Sequence, residues 1–554
     1  MHNEEETVWL VCNGEIYNYP TLRHRLEALG HRPYSNCDSE VILHAYETWG
    51  DECVHHLEGM FAFVLWDIPR QRMLAARDRV GIKPLYYAKV GPGLVLASEA
   101  GALLPLLPLR PQPEPIALAY VMTLGYVPSP WSIWRGIHKV EPGHLLTWER
   151  DGDIRQRRYW EPPRHIDPHA EIGDDWVGLF ESVLTEHLLS DVPIGLFLSG
   201  GLDSSSVAAG LHDIGQPVRA VTVGFPESTQ DESPVASAVA RRLGMAHHVI
   251  PLRIDDVGEL IGKVAAAYDE PQGYSALLSM YLISQVAAQN FKVVLAGDGG
   301  DELFGGYTWY QNLTGGTWQS GSWVRRAARS VRATIRQSTS PALRQQLAFA
   351  QRSPLHRHAW RLYPRFLPQE AEALLSPMEL RFGEDEMLAP LRKHFEPRLP
   401  LKRALQRVDL MTFCTDSILA KVDRASMAHS LEVRVPLLDR RLIEWALPRP
   451  VEAREEAESK PVLRDYLRPR VPASVLAHPK QGFSLRGLDS FDWDAATDRI
   501  RQGPWVRQGY WAPDWERLLK LRLPHRTGRI WNLLALTYWA EAWLERSTAC
   551  ASRY

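Results

Sequence analysis

The residues able to do chemistry concentrate in two glycine-rich blocks. The first reads L-S-G-G-L-D-S-S over Leu198–Ser205 and follows the apolar run Val192–Leu198. A buried strand ending in Ser199, Gly200 and Gly201, then Asp203, Ser204 and Ser205, has the make-up of a pyrophosphate-binding loop. Its side-chain-free turns let backbone N–H groups approach an anion at a helix N-terminus. The same residues could also form an ordinary strand-to-helix turn with Asp203 as a cap. The lysine of a G-x-x-x-x-G-K-[ST] loop is absent, which removes the main support for a kinase or GTPase. Read as a pyrophosphate loop, the block implies ATP cleaved between its α and β phosphates.

The second block follows the β-type run Lys292–Ala296 and reads G-D-G-G-D-E-L-F-G-G-Y over Gly297–Tyr307. Glycines and acids at the carboxyl end of a predicted parallel strand stand where open α/β sheets hold ligands. If both strand ends face one crevice, Asp203 and Asp301 offer hard oxygen ligands suited to Mg²⁺ bridging phosphates. The alternative is a glycine-rich surface loop with solvated acids.

Further ordered blocks accompany these two: N-G-E-I-Y-N-Y at Asn13–Tyr19, G-M-F-A-F at Gly59–Phe63, A-R-D-R-V-G-I-K-P-L-Y-Y at Ala76–Tyr87, K-V-D-R-A-S-M-A-H-S-L-E-V-R-V-P-L-L-D at Lys421–Asp439 and P-K-Q-G-F-S at Pro479–Ser484. On these residues, from about residue 9 to residue 484, the chain resembles the glutamine-hydrolysing asparagine synthetases of the bacterial B type. The resemblance implies a glutaminase of the N-terminal-nucleophile type, here over 1–160, followed by a synthetase domain over 171–554. The synthetase would adenylate the side-chain carboxylate of aspartate and let ammonia displace AMP. A carboxylate resists attack by ammonia until one oxygen becomes a good leaving group, and adenylation supplies that group.

The family's site residues carry over to named positions. Ser199, Gly200, Gly201, Asp203, Ser204 and Ser205 match its pyrophosphate loop, and Asp203 and Asp301 its magnesium positions. Leu196, Val223 and Gly297 fall where it packs adenine and ribose. Asp298 takes its acidic position beside the reacting carbonyl. Lys480 matches its catalytic lysine, a fixed positive charge near the acyl-adenylate.

The front departs from the family. Its glutaminases begin M-C-G-I, and the cysteine exposed on removal of methionine attacks glutamine with its own α-amino group as base. This chain begins Met1-His2-Asn3, and none of Cys12, Cys37, Cys53, Cys414 or Cys550 stands at that position. About sixty residues of the family's start, with its R-G-P-D block and substrate-gripping arginine, have no counterpart. Asn13 and Gly14 still match its oxyanion hole, and Glu15 and Asp38 its glutamine-holding acids. The expectation is a glutaminase lacking its first strands and nucleophile, through a start codon placed too far downstream or a real loss. As written, the chain would use ammonia and a longer form glutamine.

A second departure concerns the acyl acceptor. After Asp269-Glu270-Pro271, many members of the branch continue F-A-D-S-S-A-L-P, whereas this chain reads Gln272-Gly273-Tyr274-Ser275-Ala276-Leu277-Leu278-Ser279. Relatives on the same frame amidate other carboxylates or peptides in natural-product or polysaccharide pathways. Some cyclise β-lactams with a tyrosine–glutamate pair that has no clear counterpart in this sequence.

Composition bounds the rest. The chain has 554 residues, 45% apolar and 23% charged, enough for two or three globular units. A net charge of −3 gives no pull toward nucleic acid. Five irregularly spaced cysteines suggest neither a disulfide framework nor a zinc site, and fit a reducing cytoplasm. No apolar run reaches membrane-spanning length. The partners expected are small molecules (aspartate, glutamine or ammonia, ATP), and the resemblance leaves room for a homodimer.

The fold expected is α/β with an α+β front. A truncated αββα-type sandwich, with helices around Tyr19–Leu29 and Ser39–Trp49, runs into a Pro-rich linker at Glu161–Pro168. A doubly wound parallel sheet with strands at Val218–Phe225 and Lys292–Ala296 follows, and then a helical C-terminal region. The arginine-rich stretch Trp323–Arg332 reads as a solvated helix. The tryptophans within Trp505–Trp543 read as packing, and His247-His248 as structural or nucleotide-adjacent.

Overall fold

The computed structural model describes residues 1–554 except 110, 151, 171–174, 225–230, 252–255, 311–351, 363–365, 380, 452–453, 456–457, 479–490, 521–525 and 546–554. The front half is a layered sandwich. One antiparallel sheet runs β1 (Val8–Ile16), β2 (Gly59–Asp67), β3 (Arg72–Arg77), β7 (His144–Glu149), β8 (Arg155–Arg158) in spatial order. A second runs β5 (Gly93–Ala97), β4 (Tyr86–Val90), β6 (Ile137–Lys139). The period-2 alternation of β2 shows why the layers form. Phe61, Phe63 and Leu65 pack with Leu22, Leu26, Ile42 and Tyr46 of the helices Tyr19–Ala28 and Glu40–Trp49. Ala62, Val64 and Trp66 point the other way, against Tyr87, Leu94 and Leu96 of the second sheet. Both helices lie where the sequence predicts them, within a residue at each changed end.

The second half is built on a five-stranded parallel sheet in the order β11 (His247–Pro251), β10 (Arg219–Gly224), β9 (Ile194–Phe197), β12 (Val293–Leu295), β13 (Glu432–Arg434). From β9 the chain winds through β10 to β11, then crosses over to place β12 on the opposite side of β9. The direction of winding therefore reverses between β9 and β12, and in open α/β sheets this switch point opens a crevice at the carboxyl ends of the strands. Both glycine-rich blocks leave the sheet there. The helices Leu401–Asp409 and Ala420–Met427, and C-terminal helices as far as Arg526–Ala540, complete the fold. Trp505, Trp511, Trp515, Trp531 and Trp539 are all buried among them, as the sequence suggests.

Buried ion pairs hold the halves together. Lys83 of the front meets Asp423 of the helix Ala420–Met427 at 3.1 Å, and Lys139 meets Glu270 at 2.7 Å. Trp134 and Trp539 pack with ring centroids 5.2 Å apart.

Candidate functional site

The crevice between β9 and β12 is a cavity of about 260 Å³. Its wall takes Ser199, Asp203 and Ser204 from the first block, and Gly297, Asp298, Asp301, Glu302 and Tyr307 from the second. Thr222 and Val223 come from β10, and Met280 and Ile283 from the helix Ala276–Ala287.

Local sequence shapes the first loop. Gly200 takes φ +79° and backs onto Val235 and Ala236, where a Cβ would lie 2.8 Å from the Ala236 nitrogen. Gly201 caps the helix Leu202–Asp213, and the Ser199 and Ser204 hydroxyls bond each other at 3.1 Å. The helix N-terminus therefore faces the crevice with its dipole, an arrangement suited to phosphate. Glycine in the second block permits contact between the loops. A Cβ on Gly297 would stand 2.7 Å from the Ser204 nitrogen, and one on Gly300 would strike the Asp203 carboxylate.

These contacts bring Asp203 and Asp301 together around one cation that the sequence reading missed. Lys460 places its ammonium 2.6 Å and 2.5 Å from the two Asp203 oxygens and 2.5 Å from Asp301 Oδ1. Its backbone has φ 54° and ψ 52°, the left-handed region, immediately before Pro461. Such a conformation in a residue with a Cβ persists only where surrounding structure holds it, and it aims this side chain into the site. The carboxylates keep the Lys460 ammonium charged well above its ordinary range against the opposing effect of burial.

Deeper in the cavity the acids are short of solvent. Burial raises the Asp298 carboxyl above its usual range, the Lys421 ammonium offsets part of that rise and Asp301 adds to it. Burial correspondingly lowers Lys421, with Asp298 opposing. Glu302 is pushed up to about 8 by burial and by Asp301. Tyr307 donates to Glu302 Oε1 at 2.7 Å on the cavity wall.

Other predicted residues are placed as follows. Leu196 is fully buried in the core, and Phe197 and Leu198 form the wall at its level. Ser205 lies buried in the first turn of its helix. His247 bonds Thr222, whose hydroxyl donates to the Leu198 carbonyl at 2.5 Å, so it braces the loop root. Gln272–Ser275 packs against the front half: Gly273 donates to the Gly125 carbonyl and Tyr274 to that of Leu124. It touches the cavity through the helix it leads into rather than through its own side chains. Lys480, Cys550 and the stretch Trp323–Arg332 lie outside the described residues.

At the front, β1 carries Asn13, Gly14 and Glu15. Gly14 has φ +147°, and a Cβ there would run into the Met60 carbonyl across the sheet. Asn13 donates to Ser98 at 3.1 Å, and the Ile16 nitrogen donates to Asp38 at 2.6 Å. Glu15 lies 3.3 Å from Arg434 of β13 and is pushed up to about 7, chiefly by burial. Burial also pushes the Cys12 and Cys53 thiols up to about 12, and raises Cys37 and Cys414. Among the described residues no cysteine has the lowered pKa of an activated nucleophile.

The residues fit the magnesium that the sequence reading expects. Asp203 and Asp301 converge on one positive centre, the Lys460 ammonium, and two carboxylates at the cavity wall make a hard oxygen donor set.

Comparison with known proteins agrees with this architecture. Residues 177–545 match the family model described as asparagine synthase, and residues 1–160 match a glutamine amidotransferase domain. The chain is 31% identical over 568 residues to a Mycobacterium tuberculosis protein named as a glutamine-hydrolysing asparagine synthetase, covering 97% of this chain and 85% of that one. It is 30% identical over 502 residues to asparagine synthetase 1 of Bacillus subtilis, covering 87% of this chain and 76% of the relative. It is 32% identical over 333 residues to the amidase chyE of Penicillium rubens, covering 55% of this chain and 48% of that one. A glutaminase-type sandwich joined to a parallel sheet with paired acids at its switch point thus places the chain in the asparagine synthase family, among the ATP-dependent amide-forming ligases.

Proposed function

We propose that this chain converts aspartate to asparagine in two steps at the β9–β12 crevice. The side-chain carboxylate of aspartate attacks the α-phosphorus of ATP, the bond to the β-phosphate breaks, and pyrophosphate leaves. Ammonia then attacks the carbonyl of the resulting β-aspartyl-AMP, loses a proton and expels AMP. The observation that carries this reading is the convergence of Asp203, Asp301 and Lys460 beside the helix N-terminus at Leu202.

The residues divide the work by position. Ser199, Gly200, Gly201, Ser204 and the helix N-terminus would hold the departing pyrophosphate. Asp203 and Asp301 would hold Mg²⁺, which when bound neutralises phosphate charge. Lys460 sets a permanent positive charge at the point where negative charge grows on the leaving group. Val223 and Gly297, with Leu196 behind them, would shape the adenine and ribose wall. Asp298 and Lys421 lie opposite as buried acid and base, where the attacking amine must shed a proton. Lys480 is proposed as a further cation at the acyl-adenylate.

Residues 1–160 would form the glutaminase-type domain and 171–554 the synthetase. Asn13, Gly14, Glu15 and Asp38 would contribute to a glutamine pocket when nitrogen comes from that source.

A pyrophosphate-release assay with Mg-ATP, ammonium and a panel of carboxylates tests the reading. Release that requires aspartate, with asparagine as product, supports it. Release that ignores aspartate but requires another carboxylate would move the assignment to a different acyl acceptor.

A further inference from the structure

One cluster of metal-binding side chains lies in the front half, away from the crevice. Glu4, His31 and His44 bring one ligand atom each within 4.8 Å of one another. Glu47 joins them: its Oε2 lies 3.4 Å from His31 Nδ1 and 3.2 Å from His44 Nδ1, while Glu4 Oε2 lies 3.7 Å from His44 Nδ1. Ligands held about 2.05 Å from a tetrahedral zinc ion stand about 3.3 Å apart, and the three separations made by His44 and Glu47 lie near that edge.

The outer ends of His31, Glu4 and Glu47 are each held by another group. Thr48 gives its hydroxyl proton to the His44 carbonyl at 2.9 Å, so its oxygen must accept from His31 Nε2 at 2.8 Å. That places the Nε2 proton toward Thr48 and turns Nδ1 toward the cluster. His44 is fully buried; its Nδ1 hydrogen-bonds Glu47 Oε2 at 3.2 Å, and Glu40 Oε1 stands 3.6 Å from its Nε2. Glu4 Oε1 accepts from the Arg32 backbone at 3.1 Å, and Glu47 Oε1 accepts from Asn3 at 2.7 Å. The ligand atoms turn toward a common region, in which His44 Nδ1 and Glu47 Oε2 share a proton at 3.2 Å that a bound metal ion would displace.

We propose that Glu4, His31, His44 and Glu47 bind one zinc ion, which fastens the segment before β1 to the helix Glu40–Trp49. Two imidazole nitrogens and two carboxylate oxygens suit this borderline ion, whereas magnesium prefers oxygen alone. The site is structural, since four protein ligands close the coordination sphere.

The test uses the full chain, stripped with a chelator and dialysed, then titrated with zinc against a chromophoric chelator. Cobalt(II) replaces zinc in a parallel titration read by visible absorption. The expected result is one zinc equivalent that binds in competition with the chelator, and the intense absorption of tetrahedral cobalt. Glu4→Gln and His31→Gln, both at partly exposed positions, should weaken zinc about 10-fold or more, and Thr48→Val about 10-fold. His24→Gln, on an exposed histidine outside the cluster, should leave binding unchanged. No stoichiometric zinc in the wild type would overturn the proposal, as would zinc held equally tightly by the Glu4 and His31 variants.

Discussion

Lys460 grips Asp203 at 2.6 Å across 257 residues of chain, and reaches Asp301 with the same ammonium. The two acids that close the crevice are therefore held in place by a cation already on the protein. Replacing Lys460 with methionine removes that charge and leaves two carboxylates facing each other. Pyrophosphate release should fall about 100-fold, as when one preorganised donor to developing charge is lost. Initial rates at saturating ATP measure it.

Gly300 makes the approach of the two loops possible, because a Cβ there would occupy the place of the Asp203 carboxylate. Gly300→Ala should push Asp203 out of register with Asp301. ATP-dependent pyrophosphate release should drop at least about 10-fold and the fold lose about 1–3 kcal/mol, the range for overpacking a tight site. Kinetics and chemical denaturation read the two effects separately.

Glu302 gives a pH dependence with a definite sign. Its folded-state value is pushed up to about 8, so between the ordinary carboxyl range and pH 8 the folded protein holds a proton that the unfolded chain releases. Stability from this group is complete below the ordinary carboxyl range and is lost as pH rises toward 8. Glu302→Gln, which keeps an acceptor for Tyr307, should be no more stable than wild type near pH 5 and more stable near pH 8. Thermal midpoints across that interval check it.

Asp423 neutralises Lys83 between the two halves, and both side chains are buried. Asp423→Asn should destabilise by about 3 kcal/mol, because an unpaired buried charge remains. The charge-free pair Lys83→Met with Asp423→Leu should recover most of that loss. A double-mutant cycle of unfolding midpoints measures the coupling.

The two loops of the crevice were legible because glycine at a strand's carboxyl end marks a close approach of backbone, and the acids beside it mark charge. The layered front was legible from the alternation in strands such as Gly59–Asp67. Lys460 was not. It stands in an E-S-K-P run with no periodicity, and its partners are set by tertiary packing rather than by neighbours in sequence. The same holds for Lys83, which lies 340 residues from Asp423: both belong to motif blocks, but only the fold shows that they form an interface. Leu196 turned inward because successive residues of a strand face opposite ways, and a four-residue strand gives too little pattern to fix which. Tyr274 stood near the helix that lines the cavity in sequence, yet its hydroxyl is bound to the front half.

The most direct measurement follows oxygen. Aspartate labelled with ¹⁸O in its side-chain carboxylate is incubated with the chain, Mg-ATP and ammonium, and the nucleotide and phosphate products are examined by mass spectrometry. Adenylation at the β9–β12 crevice predicts one labelled oxygen in AMP and none in pyrophosphate. Label in inorganic phosphate with ADP as the nucleotide product would contradict it, as would asparagine formed with unlabelled AMP.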